Sequence, residues 1–166
     1  MKITKDSLIY DISNMAYAIA DTSEDCRHAL HLVRDICEEG NIDRVSRVLG
    51  LAYSKLLAVL LPLLSPPRIN INKDRSDSIH DYEFSFRKDG CFKHKLCDGI
   101  KLKIKETARE YMVCMVLADW FGVTLPEMAG VWKYRMEEAY KSLKSIVSDI
   151  TVSLYSAAFR RKVPVI

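Results

Sequence analysis

This chain has almost no net charge, no apolar run long enough to anchor it in a bilayer and none of the glycine, serine or histidine signatures of common enzymes. Each absence removes a class of function. The balance is +3 over 166 residues, too little for the total to argue for nucleic acid. The most apolar stretch, LGLAYSKLLAVLLPLL over 49–64, contains Lys55 and runs into Pro62. A spanning helix wants about 20 apolar residues, so this shorter stretch reads as a centrally packed helix. There is no phosphate-cradling glycine loop, no metalloprotease His pair with its Glu, no nucleophile elbow and no dinucleotide fingerprint. No catalytic residue, cofactor site or metal site is therefore nominated.

Disulfides are not expected either. Five cysteines, an odd number, are scattered along the chain, and the opening MKITKDSLIY is too polar for a secretory leader. That pattern reads as free thiols in a reducing compartment. The best metal-ligand spacing is Cys91-x-x-His94-x-x-Cys97. On a strand it fails, because the two cysteines point one way and the histidine the other, and a fourth ligand is not nearby. His28 and His31, one helical turn apart, make a weaker case. The paired acids Glu38-Glu39 and Glu137-Glu138 read as solvated helix faces.

What is present fits one soluble domain with 28% charged residues. A chain of this length buries roughly 70% of its unfolded surface without metal or disulfide. No internal repeat or low-complexity tract interrupts it, and Pro66-Pro67 is the clearest break. The organisation predicted is mainly α: a bundle of about five helices with a small antiparallel β-hairpin inserted in the middle. Within one domain over 1–166, a helical third covers 1–64, a β-hairpin or loop insertion 68–98, a long helical hairpin 100–150 and a C-terminal arm 151–166.

Apolar spacing sets the helices. Leu8, Ile9, Ile12, Met15, Ala16 and Ile19 recur at three- and four-residue steps and predict a helix over 5–20. Thr22 or Ser23 is placed to cap a second, with Ala29, Leu30, Val33, Ile36 and Cys37 facing inward and Gly40-Asn41 ending it in left-handed geometry. A third runs over 42–61 until Pro62 stops it, nearly all-round apolar after Leu56 and so expected to be covered on most sides. In the middle, Tyr82, Phe84 and Phe86 alternate with Glu83, Ser85 and Arg87, the period of a strand with one wet face. Asp89-Gly90 signals a hairpin turn with a return strand over 91–96, and 68–72 offers another short strand.

The most legible stretch is MVCMVLADWFGVTLPEMAGVWKYRMEEAY, 112–140. It predicts a buried helix over 100–121, a tight turn and an amphipathic helix over 125–150. Lys101, Lys105 and Arg109 keep the first turns of the earlier helix wet, and Glu137 pairs with Lys141 on the later one. Gly122 suits a left-handed stop, Thr124 and Glu127 a capping box around Pro126, and Val123 with Met128 a hydrophobic staple. Trp120 and Trp132 are expected in the shared seam. Asp119 lies near the negative end of its helix, where dipole and burial oppose its charge, so it needs a partner: amides of the next helix, or Arg135. Asp119, Trp120, Thr124, Glu127 and Trp132 together read as a structural lock.

Charge is uneven. Residues 1–67 carry seven basic and nine acidic side chains, whereas 87–105 carry seven basic against Asp89 and Asp98. Arg87, Lys88, Lys93 and Lys95 with interleaved Phe92 form a basic ribbon able to track phosphates, or a solvated face whose lysines discourage edge pairing. Phe159, Arg160, Arg161 and Lys162 mark the C-terminal arm as a second interaction element.

The run EYMVCMVLADWFGVTLPEMAGVWKYRMEEAYKSLKSIV resembles small proteins encoded beside the head and tail genes of tailed bacteriophages and prophages. In those, a hydrophobic helix ending in an Asp-Trp pair precedes a Thr/Pro-Glu turn and another helix; here the positions are Asp119-Trp120 and Thr124-Pro126-Glu127. The likeness is clear over 111–147 and loose elsewhere. It implies a non-enzymatic virion structural protein, a head–tail connector or neck-ring subunit, assembled in the host cytoplasm. Implied partners are other copies in a homo-oligomeric ring and portal or tail proteins, with the basic patch near DNA and no membrane. The alternative reading is a helical nucleic-acid-binding or regulatory protein using 87–105.

Overall fold

The computed structural model describes residues 1–22, 27–65, 81–87 and 97–160. They form a mainly helical body with a small two-stranded antiparallel sheet. In order these are β1 (Lys2–Thr4), α1 (Lys5–Thr22), α2 (Arg27–Arg34), α3 (Ile42–Leu60), β2 (Asp81–Glu83), α4 (Asp98–Thr124) and α5 (Pro126–Arg160). Short 3₁₀ turns, Asp35–Cys37 and Leu61–Leu63, close α2 and α3.

The sheet is not the hairpin expected in the middle of the chain. β2 pairs with β1, in the register Lys2↔Glu83, Ile3↔Tyr82 and Thr4↔Asp81, so the sheet lies near the N-terminus. The alternation holds, with Tyr82 and Phe84 buried and Glu83 and Ser85 exposed. The partner differs because a lone two-stranded ribbon is marginal, whereas Ile3 is itself buried and joins Tyr82 to the core. Beyond β2 the chain stays extended: the Ser65 amide donates to the Ser85 carbonyl at 2.7 Å and the Arg87 amide to the Leu63 carbonyl at 3.0 Å. The Tyr53 hydroxyl donates to the Glu83 carbonyl at 2.7 Å. The expected Asp89-Gly90 turn, the return strand 91–96 and the strand 68–72 lie outside the described residues.

On α1 the buried positions are Leu8, Ile12, Ala16 and Ala20, while Met15 lies on the open side. Gly40 is not left-handed. The reversal after α2 is held by a side chain instead, the Asn41 Nδ2 donating to the Asp35 carbonyl at 2.8 Å. On α3 the stripe Val45, Val48, Leu49, Ala52, Leu56 and Leu60 is buried, but Leu51 and Leu61 are exposed. Its C-terminal half is thus covered on one side, not on most. The expectation that this stretch is too short to span a bilayer does not hold by length and composition alone, since Ile42–Leu63 is long and apolar enough. Here its buried stripe packs on α4.

α4 and α5 share the largest interface. From Tyr111 to Phe121 all of α4 is buried except Met115 and Asp119. Tyr111 meets Tyr140 with ring centroids 5.4 Å apart. On α5 the stripe Trp132, Ala139, Leu143, Val147, Ile150 and Leu154 keeps a three- or four-residue step past Ile150. That continuation explains why 151–160, expected as an arm, is helical to Arg160.

The turn between them departs from expectation. Gly122 lies inside α4 without left-handed geometry. Leu125 makes the break instead, at φ −149° and ψ 74°, its amide donating to the Phe121 carbonyl. Thr124 is still helical, and its hydroxyl donates to the Trp120 carbonyl at 3.0 Å, so the capping box with Glu127 does not form. Val123 is 67% exposed and staples nothing.

Candidate functional site

Asp119 does find a cation, but it is Arg44 of α3. The guanidinium Nε lies 2.9 Å from the Asp119 carboxylate, and a second nitrogen reaches the Asp119 carbonyl at 3.2 Å. The same guanidinium stacks 5.6 Å from the centre of the Trp120 ring. Trp120 is buried and donates through Nε1 to the Val33 carbonyl at 3.3 Å. One arginine and one indole thereby tie the end of α4 to α3 and to the end of α2. A cation also suits the negative end of a helix.

Trp120 and Trp132 do not share a seam. Phe121, one position on, meets Trp132 at 6.2 Å, because a 100° helical step turns Trp120 toward α2. Arg135, expected as a partner for Asp119, instead lies 5.0 Å from the Trp132 ring centre. Glu127 is exposed on the first turn of α5. Lys141 pairs with Glu138 at 3.2 Å, not with Glu137 as expected. Arg109, expected to be wet, reaches the Asp11 carboxylate of α1 at 2.6 Å in a part-buried contact. The Asp11 hydrogen bond holds its guanidinium pKa above the ordinary value.

Of the basic ribbon, Arg87 donates its Nε to the Leu64 carbonyl at 2.9 Å. Lys101 pairs with Asp98 at 3.0 Å. Both side chains thus serve local structure. Lys88, Lys93 and Lys95, like Arg161 and Lys162, lie outside the described residues. Phe159 and Arg160 fall in the last turn of α5.

The feature that sequence reasoning missed is an open groove of about 540 Å³ between α3 and α5. Ala58, Val59 and Pro62 form one wall; Tyr140, Lys144, Val147, Ser148, Thr151 and Val152 form the other. Pro62 ends α3 in a 3₁₀ turn and Ala58 is small, so the two helices do not close there. Lys144 carries the single charge in the lining and holds its ammonium 4.7 Å from the Tyr140 ring centre. The signal in the sequence was the all-round apolar end of α3, which left more apolar surface than one neighbour covers.

Elsewhere burial pushes the Cys114 thiol up to about 11 and the Tyr82 hydroxyl up to about 12. Cys37, Cys97 and Cys114 are free. Among the described residues no three His, Cys, Asp or Glu side chains gather as metal ligands. With one amine, one phenol and the hydroxyls of Ser148 and Thr151 among otherwise apolar side chains, the groove offers a mainly apolar surface. Comparison with protein families, with curated proteins and with solved structures finds no match to this chain.

Proposed function

We propose that this chain is a virion structural protein of a tailed bacteriophage, a head–tail connector or neck-ring subunit acting through subunit contacts and performing no chemistry. It belongs, on this reading, in the virion, assembled in the host cytoplasm from copies of itself and seated against portal or tail proteins. The likeness over 111–147 suggests the class. One structural observation carries most of the support. α5 has 35 residues and α4 has 27, so α5 outruns its partner by about 12 Å at about 1.5 Å per residue. The groove on that longer helix stays open, and Val152 in its lining is 65% exposed. Contiguous apolar surface of that kind marks contact with other chains. Exposed Tyr10, Tyr17 and Tyr134 add the residue type that interfaces favour.

The test is assembly. Sedimentation velocity and negative-stain imaging of the purified chain, alone and with a tailed-phage portal protein, are expected to give a ring or a stoichiometric portal complex. A chain that stays monomeric at high concentration and ignores portal refutes the reading. The nucleic-acid alternative would show as DNA binding with a steep salt slope; the engagement of Arg87 and Lys101 in local contacts weighs against it.

A further inference from the structure

The outer face of α1 carries the same pairing of side chains twice. Asp6, Tyr10, Asn14, Tyr17 and Asp21 stand three or four residues apart and all are exposed, so they form a single stripe along the helix. At the far end the pairing is filled. Arg34, at the end of α2, hydrogen-bonds the Asp21 carboxylate and holds its guanidinium 5.9 Å from the Tyr17 ring centre. At the near end Asp6 and Tyr10 offer the same carboxylate and ring, again one helical turn apart. Among the described residues no cation is seated on either. We propose that this face takes an arginine-bearing segment of a partner protein, with one guanidinium seated between Asp6 and the Tyr10 ring. This rests on the reading of the chain as one that acts through contacts with other proteins, and it names the chemistry of one such partner.

Charge selects that occupant. Glu38 and Glu39, both exposed, follow Cys37, whose thiol donates to the Ile9 carbonyl at 3.8 Å. They therefore stand beside the Tyr10 end of the stripe and add two carboxylates to Asp6. Lys5 lies about 100° round the helix from Asp6, and Lys2 is already paired with Asp81 at 2.6 Å. A surface of that sign repels phosphates and favours a cation. Shape agrees. Helical side chains lean toward the N-terminus, which brings the exposed Tyr10 ring over the turn of Asp6. Arginine fits better than lysine, because a planar guanidinium lies on a ring and forks to a carboxylate at the same time. Asn14, between the two tyrosines, has both a donor and an acceptor for the backbone of an extended segment.

The probes are a short arginine–glycine peptide and its lysine–glycine counterpart, titrated into the isotope-labelled full chain and followed by NMR. The arginine peptide should move the amide resonances of Asp6, Tyr10 and Asn14, and the lysine peptide should bind about fivefold more weakly. Tyr10→Ala and Asp6→Asn, both at exposed positions, should each weaken the arginine peptide by about two- to fivefold, with unchanged helix content by circular dichroism. Glu137→Gln, which removes an exposed carboxylate from α5, should leave binding as it was. Equal affinity for the two peptides, or shifts centred away from α1, would reduce the binding to general electrostatics and overturn the contact. If neither peptide moves the stripe but Tyr10→Ala dissolves self-assembly, the face belongs to a second copy and the proposal falls. The two readings fail separately. A chain that forms rings yet ignores the peptide loses this contact alone; one that binds the peptide through Tyr10 yet never assembles or meets portal loses the virion reading alone.

Discussion

Replacing Arg44 tests how the end of α4 is fastened. Its guanidinium makes three contacts: the Asp119 carboxylate, the Asp119 carbonyl and the Trp120 face. The paired side chains are 33% and 41% exposed, so the ion pair is screened and contributes only about 0.2–1 kcal/mol. Stacking on the indole adds about 0.5–1 kcal/mol. Arg44→Met keeps most of the aliphatic stem and should cost about 1–2 kcal/mol, or a melting temperature lower by about 2–4 °C for each kcal/mol. Arg44→Lys keeps the charge but loses the planar fork and the stacking, so it should cost about 1 kcal/mol rather than nothing. Urea titration followed by circular dichroism measures both. Adding Asp119→Asn completes a double-mutant cycle, with a coupling of about 0.5–1 kcal/mol expected. Two results would defeat the reasoning: Arg44→Lys as stable as the parent, or Asp119→Asn costing as much without Arg44 as with it.

Three further outcomes follow from the same contacts. Phe121→Ala should destabilise by about 3–5 kcal/mol in a urea titration, because it empties a buried site against Trp132; a loss under 1 kcal/mol would mean the hairpin seam is not packed as described. Asp11→Ala, which strips the partner from part-buried Arg109, should cost about 1–2 kcal/mol, between the exposed and buried limits, and Asp11→Glu should recover part of it. The third concerns alkali. Burial raises the Cys114 pKa from 9.0 to about 11, and that of Tyr82 from 10.0 to about 12. Between those values the unfolded chain has lost protons that the folded chain retains, so stability falls as pH rises. The decline in urea midpoint should begin near pH 9, and Cys114→Ala should flatten its first part; a midpoint level to pH 11 would contradict the burial.

The helices were legible because their apolar spacing is local. The starts of α1 at Lys5 and α3 at Ile42, and the stop before Pro62, follow from residues within a turn or two. The pairing of β1 with β2 was not, since it joins segments about eighty positions apart and the three residues of β1 carry no period long enough to read. The hairpin turn misled for another reason. Gly122, Thr124 and Glu127 have the side chains of a stop and a cap, but packing of Phe121 and Trp120 keeps α4 wound to Thr124, and tertiary contacts override such preferences. Arg44 was invisible as the partner of Asp119 because nothing in the sequence brings α3 beside the end of α4. The groove was half visible: the surplus of apolar surface after Leu56 could be read, but not which flank would stay bare. The end of α5 was readable in hindsight, since Leu154 lies four residues past Ile150 on the same stripe.

The length of α5 has a consequence for distance. Its first fifteen residues are fixed against α4 by the Phe121–Trp132 and Tyr111–Tyr140 ring contacts, so the remaining turns cannot swing without shearing aromatic pairs. The helix then acts as a gauge: whatever meets its last turn is held about 50 Å from the Leu125 bend, at about 1.5 Å per residue. Inserting or deleting a single residue near Thr151 would rotate that far end by about 100°, changing the bearing of everything beyond it while leaving the anchored portion undisturbed.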